Sequence, residues 1–547
     1  MLAELMPRRS EGFDRIEIGH KMPPNAMAVR GSPPRACILG ANPVQRKGAA
    51  VLIGWMIDIA REQSPAPTWL EGLLARSCDA GYTAVGLYLE HRFAYASAPW
   101  AASPGCLTQE AVRALQRRFA EGGLRIIPFL NTLGHMEGFI RAQGGQWLAE
   151  GPRRGALQIC PTRPECREFA RGLVEDALAA FDDEWVHLGG DETEQLGQCP
   201  YCAERVRALG KGGLYGEYFG ELCRWVLEHG RRPCLWADML LHHPEALDAV
   251  PRQTVLFDWQ YDRRPRESTH MLRARGFDVV CCPSVHTYNS AWCFLDVTQR
   301  NIDEHLADAR DVGALGVLVT TWEFCFFSHY AGVLPIVFAA GRRIARGDDW
   351  TAALAAEGGA TYARAAEILG NRIPRASRLL RPGGWRVLRD AFVIRQNPFV
   401  LWQRWRDEAC GPVGDELLHL CDEAAALLPA DSELQFPLEL HRVAVEWVRL
   451  VERAYGRYAQ RDLAGCIAAL EPGVALLERL RPHLVRIASA GGSAADVARL
   501  ERLQEKLHGV LARMRTLPRG AAYCPAFEVL VADAYVPGDQ AAWRAEE

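Results

Sequence analysis

The chain has 547 residues, 49% of them hydrophobic and 24% charged, with a formal net charge of −4. That composition supports a large core, and the near-balanced charge argues against a nucleic-acid or anionic-membrane partner. No run of eighteen apolar residues occurs, so no membrane span is expected, and the first residues lack the apolar stretch of a secretory signal.

Seventeen cysteines are scattered without the spacing of a small disulfide domain. Reduced thiols in a cytoplasmic protein are therefore expected. Residues 1–47 are rich in proline (Pro7, Pro23, Pro24, Pro33, Pro34, Pro43) and read as an extended arm. From Val51 onward, strand patterns alternate with helix patterns, the signature of βα units and a parallel sheet. Strands are predicted at 51–60, 83–89, 124–130, 185–188, 233–236, 254–259, 277–282 and 315–320. Helices are predicted at 68–80, ended by Gly81, and at 108–121, with Thr108 as N-cap. Further helices are predicted at 164–181, 214–229 and 301–309. Eight strands of this kind fit an α/β fold, a (β/α)8 barrel over residues 48–340. Residues 341–547 read as a helical region, with periodic leucines at 438–458, 463–480 and 494–517. That tail offers a surface on which a second copy could pair as a homodimer.

The most informative stretch is Trp185-Val186-His187-Leu188-Gly189-Gly190-Asp191-Glu192. An apolar strand runs into two glycines, which permit a sharp turn and close ligand approach. Two adjacent carboxylates follow, at the strand end where a parallel barrel places its chemistry. Side by side in a partly dry cleft, they cannot both ionise freely, so one is a candidate general acid and the other an anionic partner.

His187 to Glu192 resembles the His-x-Gly-Gly-Asp-Glu signature of family 20 glycoside hydrolases, the β-N-acetylhexosaminidases. The resemblance implies that Glu192 is the general acid/base and that Asp191 orients the substrate's acetamido group. His187 joins the substrate-binding residues. Strand three continues as Pro128-Phe129-Leu130-Asn131-Thr132-Leu133-Gly134-His135. Pro128, Gly134 and His135 match the family's segment, whereas Phe129, Asn131 and Leu133 depart from it. The resemblance makes His135 a partner of the catalytic Glu, and Glu90, after strand two, the candidate acid that holds His135. It also assigns Arg61 and Glu323 to the sugar's outer hydroxyls, Tyr288 to the acetamido oxygen, and Trp236, Trp259 and Trp322 to an aromatic cage. Indole faces suit the apolar faces of sugars. Asp238 and Asp258 remain open between sugar ligands and barrel ion pairs.

The implied activity is exo-hydrolysis of a terminal β-linked N-acetylhexosamine, the substrate acting as its own nucleophile, with neither metal nor cofactor. Two rivals stand beside it: an amino-sugar-binding barrel without turnover, and a metal-dependent hydrolase using His135, His187, Asp191 and Glu192. Against the latter, the chain lacks the usual histidine-pair spacings. Finally, Cys199-Pro200-Tyr201-Cys202 is a zinc half-site or redox pair, which Cys160 and Cys166 could complete. The spacing matches no familiar four-cysteine pattern, so ordinary thiols are the favoured expectation.

Overall fold

The computed structural model describes residues 51–60, 66–102, 104–151, 156–287, 292–322, 332–376, 399, 406–489 and 495–517. The proline-rich arm lies outside these residues. Among the described residues nine strands form one parallel sheet: β1 (Leu52–Asp58), β2 (Ala84–Tyr88), β3 (Arg125–Phe129), β4 (Trp185–His187), β5 (Arg232–Trp236), β6 (Val255–Trp259), β7 (Asp278–Cys282), β8 (Ser284–Val285) and β9 (Gly316–Thr321). Strands β1 to β7 pair in order, β7 pairs with β9, and β9 returns to β1, so eight strands close a barrel. The two residues of β8 add to the end of β9 through Ser284 and Val285. At the closing seam Gly316 has φ +153°, and a Cβ there would lie 2.1 Å from the Leu52 carbonyl oxygen. Only glycine lets β9 lie this close to β1.

Side chains alternate across each strand. Met56, Ile127, Phe129, Trp236, Phe257 and Leu318 fill the barrel axis. Trp55, Ile57, Val85 and Leu87 belong to a second core that the outer helices cover. Both faces are buried, which is why the strands read as apolar runs.

The barrel helices include α1 (Pro67–Ala80), α2 (Gln109–Ala120), α3 (Glu137–Arg141), α4 (Pro164–Ala180), α5 (Pro200–Glu228), α6 (Asp238–His242), α7 (Arg266–Ala274), α8 (Leu295–Val312) and α9 (Leu334–Arg346), followed by α10 (Trp350–Glu367). The Thr108 hydroxyl accepts from the Ala111 amide at 3.2 Å, as its capping position requires. The expected helix at 214–229 is the second half of α5. Its first half begins at Pro200, and the two are joined across a non-helical Gly210, which hides the continuity from a periodicity reading. Helix α8 starts six residues before the expected 301.

Beyond β9 all regular structure among the described residues is helical, including Pro412–Ala426, Gln435–Ala459, Leu463–Leu470, Pro472–Glu478, Arg481–Ser489 and Ala495–Arg515. The single helix expected at 463–480 is divided near Pro472, where proline fits a first turn but not a helix interior. Glu357 of α10, 5% exposed, accepts from Arg76 of α1 and Arg342 of α9, each at 2.9 Å. No described helix is long and apolar enough to cross a membrane.

Candidate active site

The turn after β4 carries the carboxylate pair. Gly189 and Gly190 have φ +79° and +99°, and Glu192 itself has φ +48°. The result separates the two acids: the Asp191 side chain is 8% exposed and that of Glu192 61%. His135, on the loop after β3, meets both. Its Nε2 lies 3.3 Å from Asp191 Oδ2 and 3.4 Å from Glu192 Oε2. Gly134 makes this approach possible, because a Cβ there would stand 2.7 Å from the Asp191 carbonyl oxygen. His135 also has a positive φ, +51°. Left-handed backbone at non-glycine residues is costly and persists where its surroundings hold it.

Burial alone would lower the proton affinity of His135, but Asp191 and Glu192 reverse this and hold it well above the usual imidazole range. The two carboxylates thus favour the imidazolium form of the ring. Asp191 Oδ1, in contrast, is buried with no hydrogen-bond partner among the described residues.

Asp238, just past β5, is the third carboxyl of the group. Its Oδ2 accepts the Glu192 amide at 3.0 Å, and its Oδ1 faces the Trp259 indole N–H at 3.3 Å. Burial, then the charge of Asp191, raises it from 3.8 to about 8. That shift favours its neutral form. Asp258, the other acid left open by the sequence, is structural: Ser268 and Thr269 hydroxyls donate to it at 2.6 Å and the Gln260 amide at 2.9 Å.

The three tryptophans converge. Trp236 is 1% exposed and floors the mouth, with its ring 6.1 Å from that of Trp322. Trp322 packs edge-on against Tyr88 at 5.3 Å. Tyr261, which the sequence reading missed, joins the remaining two. Its hydroxyl accepts from the Trp322 indole at 2.8 Å, and its ring lies 5.1 Å from that of Trp259. The signal available was an aromatic two residues beyond Trp259, on the same face of an extended chain.

Two expectations need correction. His187 does not reach the mouth. It is fully buried, stacked on Phe129 at 4.4 Å and beside Trp236 at 4.5 Å, and burial pushes its proton affinity well below normal. A strand residue facing inward becomes part of the barrel filling. Glu90 is not the acid that holds His135. It sits in a tight turn with φ +38°, its carboxylate 3.9 Å from His91 Nδ1, and His135 instead takes its ion pairs from Asp191 and Glu192. Arg61, Tyr288 and Glu323 lie outside the described residues.

A closed parallel barrel with carboxylates grouped at the C-terminal ends of its strands is the architecture of the (β/α)8 enzymes, here equipped for acid–base chemistry. Residues 82–322, which run from β2 to β9 of this barrel, match the family model described as "Glycosyl hydrolase family 20, catalytic domain". The chain is similar to a β-hexosaminidase of Vibrio furnissii, 24% identical over 36% of this chain and 32% of that one. A β-hexosaminidase of Akkermansia muciniphila is also 24% identical, over 36% and 40%. The chain thus spans about a third of the length of the curated relatives it matches. Among solved structures, an exo-β-N-acetylglucosaminidase of Vibrio harveyi, in complex with N-acetylglucosamine, aligns with a TM-score of 0.45. It shares 19% identity, over 56% of each chain.

Proposed function

We propose that this chain is an exo-acting glycoside hydrolase that removes a terminal β-linked N-acetylhexosamine with retention, the substrate's acetamido oxygen serving as nucleophile. The observation that carries the reading is the division of Asp191. One oxygen pairs with His135, and the other is a buried acceptor without a partner among the described residues. At an aromatic-walled mouth that acceptor matches an acetamido N–H. The charge of Asp191 then favours the oxazolinium ion formed when the acetamido oxygen attacks the anomeric carbon.

Glu192, the more exposed acid, protonates the departing oxygen and later takes a proton from the attacking water. His135, as imidazolium, stands between the two and holds their geometry. A carboxylate nucleophile would need a second ionised acid near the anomeric carbon. Asp238 is a poor candidate, because it is raised by burial and its two oxygens already face the Glu192 amide and the Trp259 indole N–H. Trp236, Trp259 and Trp322 supply the apolar walls for the acetamido methyl and the sugar face. Tyr288 is assigned to the acetamido oxygen, and Arg61 and Glu323 to the outer hydroxyls. The family match and the β-hexosaminidase relatives support the same substrate class.

The test is hydrolysis of a chromogenic β-N-acetylglucosaminide beside the corresponding β-glucoside. The amino sugar should be turned over, the glucoside should not, and an oxazoline-mimicking thiazoline should inhibit competitively. Efficient cleavage of the plain glucoside would sink the substrate-assisted mechanism.

A further inference from the structure

Away from the carboxylates, three thiols and a carboxylate come together. A carboxylate oxygen of Glu150 and the sulfurs of Cys160, Cys199 and Cys202 all lie within 4.8 Å of one another. Cys160 Sγ is 3.5 Å from Cys199 Sγ and 3.4 Å from Cys202 Sγ. These separations are far longer than the roughly 2.05 Å of a disulfide. They approach the sulfur–sulfur edge of about 3.8 Å that follows from tetrahedral zinc with Zn–S near 2.3 Å. Cys166, the fourth cysteine singled out in the sequence, is not in the group, and its sulfur faces the Leu148 carbonyl oxygen at 3.8 Å.

Glu150 takes the fourth corner. It is fully buried. Its Oε1 accepts the backbone amides of Gly197, Gln198 and Cys199 at 3.0–3.2 Å, while Oε2 is buried without a hydrogen-bond partner. A buried carboxylate oriented on one side and orphaned on the other is costly unless something positive meets it. The remaining contacts resemble the outer partners of metal ligands. The Cys202 amide donates to Cys199 Sγ at 3.4 Å, and the Thr162 hydroxyl lies 3.0 Å from Cys202 Sγ.

We propose that Cys160, Cys199, Cys202 and Glu150 form a structural site for a divalent zinc ion. All four corners are filled by protein, so the site is closed and not catalytic. Binding exchanges the three thiol protons, released to solvent, for Zn²⁺, with no redox change. The ion would tie the segment running from Glu192 into α5 to the connection between α3 and α4. That seam is already laced by hydrogen bonds from the Leu157 amide to Gln195 Oε1 at 2.9 Å and from the Gln195 amide to Gln158 Oε1 at 3.2 Å. The inference is independent of the glycosidase reading.

The full chain, purified with reductant, loaded with Zn²⁺ and desalted, should retain about one zinc per chain by elemental analysis. Loaded instead with Co²⁺, it should show the intense visible bands of a tetrahedral thiolate site. Cys199→Ser combined with Cys202→Ser should abolish both signals. Glu150→Gln, which keeps all three thiols, should weaken zinc retention against a chelator by at least about tenfold. Three outcomes would overturn the proposal: no zinc retained with all three thiols open to titration, a cobalt spectrum without thiolate bands, or a Cys160 disulfide found by non-reducing peptide mapping. The cobalt spectrum of the unmutated chain decides the matter even where a variant fails to fold.

Discussion

A single imidazole nitrogen serves two carboxylates: Nε2 of His135 is within 3.4 Å of both Asp191 and Glu192. Replacing His135 with Phe removes the cation between two acids, and kcat should fall about 10²-fold or more, with the pH–rate limbs displaced. A loss confined to KM would show that His135 merely lines the pocket. Glu192→Gln should lower hydrolysis of substrates with poor leaving groups by about 10²–10⁴-fold and of activated aryl glycosides far less, because only the former need a proton donor. Equal losses for both would remove Glu192 from the role of acid. Asp238 gives a stability experiment with a definite sign. Its folded-state proton affinity is raised, from 3.8 to about 8, so the stabilisation linked to its proton is complete below the unfolded value. That stabilisation declines as pH climbs through the window between the two. His135, also raised, adds a decline of the same sign above its unfolded value. Asp238→Asn should flatten the part of the melting-temperature curve between about pH 4 and 8 while keeping activity within about tenfold. An unchanged slope would mean that Asp238 is ionised in the folded chain. Of these groups, the Asp191–Glu192 pair and His135 were readable from the chain because each sits in a short motif. The part Asp238 plays was not, since it arises only when the end of β5 closes beside the end of β4.

At the scale of elements, the site depends on how closely two loops approach. Gly134→Ala would press a methyl against the Asp191 carbonyl oxygen at 2.7 Å and Thr193 Cγ2 at 3.1 Å. The first neighbour is backbone and cannot swing aside, so a stability loss of about 1–3 kcal/mol is expected, together with a drop in kcat as the carboxylate shifts. A variant with full activity and an unchanged melting temperature would show that the loops have slack. Strands and their order were legible because two-sided burial writes them as apolar runs. Segment length was less so. Gly210 disguised the first half of α5, and five-residue helices such as α3 and α6 are too short to leave a period. The inward or outward facing of His187 could not be read either, because both faces of β4 are apolar.

For the molecule as a whole, the barrel and the helices beyond it meet at Glu357, which receives guanidinium groups from α1 and α9. Glu357→Ala leaves Arg76 and Arg342 without that shared acceptor, and the melting transition should move down by an amount equivalent to about 1–3 kcal/mol. No shift would mean that the Glu357 ion pairs add nothing to the joint between α10 and the barrel. The helical character of this region was evident in its leucine spacing, but its attachment was not, because Arg76 and Glu357 are 281 residues apart in sequence.

The stack of Phe129, His187, Trp236 and Phe257 also decides how a polymer would be consumed. With the axis filled, no chain can pass through the barrel, and a sugar bound over Trp236 enters and leaves by the same face. In a glycosidase of the proposed kind, which takes one terminal sugar and releases the shortened chain after each cut, trimming is distributive. Early time points should contain a ladder of chains each shorter by one or a few sugars, in place of fully digested chains beside untouched ones.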